Sequence, residues 1–249
     1  ALSTAAARFG DRIAIRTHNA DWSFGALEEA SQAFAATLRK NGIGHGDRVA
    51  VMSTNRVEFP IVVNAISRVG AAAVLLSPAW KDAEVSHGLA LTSPRHAIAD
   101  GDGVAILSRH LGDDSVTDLD SPAIQQTIRP KDNGGPPAKV AIPPNTSENE
   151  EVVLVFSSGT TGMPKAVRHS HASLGEATRQ WVAVLGLTAE DRFQISTPPS
   201  HILGLLNLLA AAAAGARVRL HARFDLETEL RSIGGERMTL EMAVAPIVL

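Results

Sequence analysis

Cysteine is missing from the 249 residues, which removes disulfides, thiolate metal sites and a cysteine nucleophile together. That count fits a cytoplasmic setting. An excess of charge is missing as well: 23 basic residues stand against 26 acidic ones, a net of −3, so there is no electrostatic footprint for nucleic acid. No run is long enough for a bilayer. The longest apolar stretch, 202–216, is broken by Asn207 and falls short of the roughly 20 residues a span requires, so it reads as a buried helix without integral membrane contact. Residues 1–10 (ALSTAAARFG) lack the basic start and apolar core of a secretory leader. What remains is 45% hydrophobic and 20% charged. A chain of this length and composition buries a core without a covalent staple and is not disordered throughout.

Periodicity alternates between strand and helix. Leu27, Ala30, Phe34 and Leu38 share one helical face, with Ser23 before it, Glu28 and Glu29 in the first turn, Arg39 and Lys40 in the last, and Gly42 after the stop. Strands are expected at 47–53, 72–76 and 96–99, and helices at 82–91 and 104–109. Between the first two strands Asn55 and Glu58 look like a helix start. Pro60 lacks an amide hydrogen, which moves that start nearer Pro60, with the helix running to Val69. From Asp113 to Asn149 the periodicity collapses into turn chemistry, including Asn133-Gly-Gly-Pro-Pro137. The expectation is a first α/β lobe over 1–126, a loop-rich connection over 127–150 and a second α/β segment over 151–249. In that segment 152–156 is an apolar strand. Ser173 and Glu176 form a capping-box pair for a helix bearing Leu174, Ala177, Trp181 and Leu185. A strand at 192–197, a helix at 202–214, a strand at 217–221, a helix from an Asp225 cap through Ile233 and a strand at 240–245 follow. The fold class is α/β, with layered, parallel-rich sheets flanked by helices.

The informative segment is Ser157-Ser-Gly-Thr-Thr-Gly-Met-Pro-Lys165. Gly159 and Gly162 let backbone approach a ligand without a β-carbon in the way. Ser157, Ser158, Thr160 and Thr161 add hydroxyls, successive amides can form an anion-binding concavity, and Lys165 supplies a full positive charge. A strand running into such a turn suits a polyphosphate. The spacing is not that of the P-loop NTPases, which need four residues between the glycines and Ser or Thr after the lysine; here two residues separate Gly159 from Gly162 and Ala166 follows Lys165. His169 and His171 are spaced like metal ligands, yet no third ligand is near in sequence.

Ser157 to Val167, with His171 six residues past Lys165, resembles the phosphate-binding signature of the ANL superfamily of adenylate-forming enzymes. These include acyl-CoA and aryl-CoA synthetases, luciferases and the adenylation domains of peptide synthetases. Gly42-Ile-Gly-His-Gly-Asp-Arg-Val-Ala50, the stretch from Asn55 to Pro78, Pro198-Pro-Ser-His-Ile-Leu-Gly-Leu205, Phe224-Asp-Leu226 and Ala245-Pro246 are similar to further segments of that family. One departure is Ala166, where the family has glycine, which is tolerable unless the position needs positive φ.

The resemblance implies that the chain is part of the large N-terminal domain, with ATP, Mg2+ and CoA as cofactor and co-substrates and a small carboxylic acid, fatty or aryl, as substrate. It implies that Ser157, Ser158, Gly159, Thr160, Thr161, Gly162 and Lys165 bind the nucleotide, with Lys165 on the departing pyrophosphate. Ser157 would assist the metal, and His201 would line the junction of acyl pocket and nucleotide. Other elements of the family, including its C-terminal catalytic lysine, lie beyond Leu249, so the chain is expected to be an N-terminal fragment inactive by itself. The alternatives are an adenylation domain loading a carrier-protein thiol and a non-catalytic nucleotide- or acyl-binding module. Oligomeric state is not written in the sequence, and a homodimer stays open.

Overall fold

The computed structural model describes residues 2–129, 147–157 and 162–242. The chain opens with helix α1 (Leu2–Phe9), the antiparallel strands β1 (Ile13–Arg16) and β2 (Asp21–Ser23), and helix α2 (Phe24–Lys40). Strand–helix alternation follows in β3 (Arg48–Met52), α3 (Glu58–Arg68), β4 (Ala72–Leu76), α4 (Asp82–Thr92), β5 (His96–Ala99) and α5 (Asp102–Leu111). Next come β6 (Val116–Asp118), α6 (Pro122–Ile128), β7 (Glu151–Ser157), β8 (Lys165–Ser170) and α7 (His171–Leu185). The remainder is β9 (Arg192–Ile195), α8 (Ile202–Ala214), β10 (Arg217–Leu220), α9 (Leu226–Glu236) and β11 (Leu240–Glu241).

Two compact units result, one built from Ala1–Glu28, Asn55–Phe59 and Gly175–Leu249, the other from Glu29–Thr54 and Pro60–Leu174. This division differs from the expected lobes of 1–126 and 151–249, and strand pairing is the reason. β7, which follows the 127–150 connection, hydrogen-bonds to β4 and so extends the earlier sheet.

The second unit holds a sheet ordered β6-β5-β3-β4-β7-β8, parallel except for the antiparallel β7–β8 pair. Every residue of β4 and β5 is buried, as expected for parallel strands covered on both faces. Met52, Val74, Leu76, Val85, Leu107 and Phe156 belong to its core.

The first unit holds a sheet ordered β11-β9-β10-β1-β2. Phe193 pairs with Val218 and Ile195 with Leu220; all four are buried. Ala210 and Ala211 of α8 have no exposure, and Gly215 ends that helix at φ +77, where a β-carbon would sit 2.5 Å from the Phe9 ring. The Asp225 cap is present, its carboxylate accepting from Thr228 N at 2.9 Å, and α9 continues past Ile233 to Glu236.

Several local expectations shift. Ser23 accepts from Ala26 N, so α2 starts early enough that Glu28 and Glu29 lie beyond its first turn. Pro60 sits inside the first turn of α3, where its missing donor would have had no helical partner. β6 and α6 fall within the stretch read as structureless, because a three-residue edge strand gives no legible period. α7 begins at His171, with Ser170 as its cap. Ser170 N donates to Ser173 Oγ at 2.9 Å and Ser173 N to Ser170 Oγ at 3.2 Å, while Glu176 bonds Gln180 instead. No helix among the described residues is long and apolar enough to cross a membrane.

Candidate functional site

β7 is apolar from Val152 to Phe156 because it lies inside the sheet, and its last residue, Ser157, emerges exposed. β8 returns antiparallel to it, with Phe156 opposite Ala166 and Ser157 opposite Lys165. Directly opposed residues of an antiparallel pair project from the same face about 5 Å apart. Ser157 and Lys165 thus stand opposite each other at the last pair of the two strands. Lys165 is exposed and has no carboxylate partner among the described residues. Arg168, three residues on, contrasts with it: it pairs with Glu151, which also takes Arg48 at 2.7 Å. Burial opposes charge on Glu151, but the two guanidiniums win and hold its carboxyl below the usual range.

Gly162 has φ +120, a conformation that favours glycine, and Pro164 precedes the lysine with its carbonyl hydrogen-bonded to His87 at 2.9 Å. Ala166 lies in β8 and has no positive φ, so the methyl group replacing the family glycine is accommodated. Ser158, Gly159, Thr160 and Thr161 lie outside the described residues. Lys165, without a carboxylate partner among the described residues, has a charge free to meet a phosphate, and the exposed Ser157 is a hydroxyl that would serve Mg2+. Burial lowers the His169 and His171 pKa values, and among the described residues no group of three or more His, Cys, Asp or Glu is arranged to hold a metal ion.

His201 belongs to the first unit. It is the N-cap of α8, with its amide on the Pro198 carbonyl at 3.1 Å and its own carbonyl accepting from Leu205 N at 3.0 Å. Its ring is exposed and makes no capping hydrogen bond. The turn before it is fixed by Asn55, whose Nδ2 donates to the carbonyls of Ser196 at 2.9 Å and Thr197 at 3.3 Å. Behind it, Trp181 Nε1 donates to the fully buried Asn207 at 2.9 Å.

Sequence reasoning missed three of these features. Nothing local in the sequence points Asn55 to the Ser196–Thr197 turn or His87 to Pro164. The third is Asp100, buried at the carboxyl end of β5, which accepts from Ser53 Oγ at 3.0 Å and from Thr54 Oγ1 at 2.8 Å at the end of β3. A cavity of about 740 Å³, lined by Gly101, Val104, Ser108, Arg109, Asp118 and Asp120, lies near β6, at the opposite edge of the sheet from the β7–β8 hairpin.

A parallel-rich sheet flanked by helices and closed at one edge by an antiparallel pair is an α/β frame. The model of the AMP-binding enzyme family matches residues 2–249, and the chain belongs to that family, corresponding to the N-terminal portion of the adenylate-forming superfamily. It is similar to 4-coumarate–CoA ligase 2 of Oryza sativa subsp. japonica, with 33% identity covering 86% of this chain and 41% of that one. It is also similar to the 2-succinylbenzoate–CoA ligase of Bacillus licheniformis, with 28% identity covering 94% and 47%. Among solved structures it resembles the O-succinylbenzoate coenzyme A synthetase of Bacillus subtilis in complex with AMP, at a TM-score of 0.83 and 25% identity, covering 99% of this chain and 62% of that one. The chain spans less than half the length of those two curated relatives.

Proposed function

We propose that the β7–β8 hairpin grips the β- and γ-phosphates of ATP in an enzyme that activates a carboxylic acid, fatty or aryl, and passes it to the thiol of CoA. The acid's carboxylate oxygen attacks the α-phosphorus, the bond to the bridging oxygen breaks, and pyrophosphate leaves with the charge. The thiol then attacks the acyl carbon and AMP departs. Such chemistry depends on positioning and charge neutralisation rather than on a protein nucleophile. Lys165 neutralises the departing pyrophosphate, Ser157 to Gly162 hold its oxygens, and His201 lines the junction of acyl and nucleotide sites. Mg2+, when bound, neutralises further phosphate charge, with Ser157 as the protein hydroxyl that would hold it. The setting is cytoplasmic.

The observation that supports this most is the exposed Lys165, opposite Ser157 and without a carboxylate partner among the described residues, in a chain of the AMP-binding family. The 4-coumarate and succinylbenzoate ligases among its relatives favour CoA over a carrier-protein thiol as acceptor. The test is ATP–pyrophosphate exchange by the full-length protein. Lys165→Ala is expected to lower it about 10- to 100-fold, the worth of one charge-assisted contact; unchanged exchange would remove the proposal.

A further inference from the structure

We propose that His87 is a positioning residue for the phosphate hairpin, holding the Pro164 carbonyl and thereby the direction in which Lys165 points. The inference rests on the phosphate-binding reading of that hairpin. α4 touches the hairpin on both of its described arms. On one arm, Trp80, just before α4, meets the Phe156 ring edge-on, with centroids 4.8 Å apart and planes at 73°. Gly88 permits this approach: a β-carbon there would lie 3.0 Å from Trp80 and 3.3 Å from Phe156, the residue before Ser157. On the other arm, His87 Nε2 lies 2.9 Å from the carbonyl oxygen of Pro164, the residue before Lys165. Neighbouring positions of one helix thus reach the residues immediately preceding Ser157 and Lys165.

The chemistry of the bond is one-directional. A carbonyl only accepts, so Nε2 carries the hydrogen. Proline offers no amide, and the β7–β8 register runs from Glu151–Ser170 to Ser157–Lys165, so the Pro164 carbonyl lies just past that last pair. His87 supplies the donor at that point. One such bond contributes little to the folding of a chain of this size. A shift of about 1 Å in a charged contact matters far more to a bound anion. His87 is therefore assigned to orientation of the lysine rather than to stability.

The test measures binding of inorganic pyrophosphate to the 249-residue chain by calorimetry, with thermal midpoints recorded in parallel. His87→Phe keeps a ring of similar size and loses the donor, whereas His87→Gln keeps an N–H donor at similar reach. Lys165→Ala reports on the hairpin itself. His87→Phe is expected to weaken pyrophosphate binding about 5- to 10-fold with a midpoint lowered by no more than about 4 °C, and His87→Gln to stay within about twofold of the parent. Parent-like binding by His87→Phe, alongside loss in Lys165→Ala, overturns the role of His87 and leaves the phosphate reading standing. Equal weakening in the Phe and Gln variants also overturns it, since that marks packing rather than a hydrogen bond. No binding by the parent, or parent-like binding by Lys165→Ala, overturns both.

Discussion

Gly204 lies so close to Pro198 that a β-carbon on it would sit 2.3 Å from the Pro198 carbonyl oxygen. The same carbonyl accepts the His201 amide, so the first turn of α8 and the Pro198–His201 turn are locked together at the one position without a side chain. Gly204→Ala is expected to destabilise the chain by about 1–3 kcal/mol, the usual cost of overpacking against rigid backbone. Urea unfolding reads this directly, and an unchanged midpoint would show that the turn yields.

Asn55 secures that turn from another part of the chain, through the carbonyls of Ser196 and Thr197. Asn55→Asp keeps the shape but sets a carboxylate against two carbonyl oxygens. It is expected to cost more than Asn55→Ala, which itself costs about 1–3 kcal/mol for two buried acceptors left unpaired. The order of the two unfolding midpoints checks the argument, and the reverse order contradicts it.

Glu229 gives a pH dependence of definite sign. Burial against the sheet, reinforced by the neighbouring Glu241, raises its carboxyl pKa from 4.5 to about 7. The folded chain therefore holds a proton that the unfolded chain has already released. Stability from this residue falls as pH rises from about 4.5 to about 7 and is level above that. Glu229→Gln should flatten that slope and leave the variant more stable than the parent at pH 8, by about 1–3 kcal/mol. Carboxyls held low by partners, such as Asp21 beside Arg16, act with the opposite sign at lower pH, so the comparison is between parent and variant at pH 5 and pH 8. Parallel profiles for the two proteins would contradict the assignment.

Much of the frame was legible because burial writes itself into composition. β4 is apolar throughout, β3 and β5 are apolar after a polar first residue, β7 is apolar between polar ends, and α8 is flanked by Pro198-Pro199 and Gly215. β8 was not legible. Its residues, Lys165 to Ser170, are mostly polar and exposed or half-exposed at a sheet edge, so only pairing with β7 makes them a strand. Two further features depend on distance along the chain. His87 and Pro164 are separated by 77 positions and Asn55 and Ser196 by 141, and neither pair has a local pattern to betray it. The segment from Ser157 to Lys165 stands out in the sequence because its glycines, hydroxyls and lysine are contiguous.

The most direct measurement is a crystal structure of the chain soaked with ATP and Mg2+. The account predicts phosphate density at the β7–β8 hairpin, with Lys165 Nζ within about 3 Å of a phosphate oxygen. Phosphates bound elsewhere, with Lys165 still facing solvent, would contradict it.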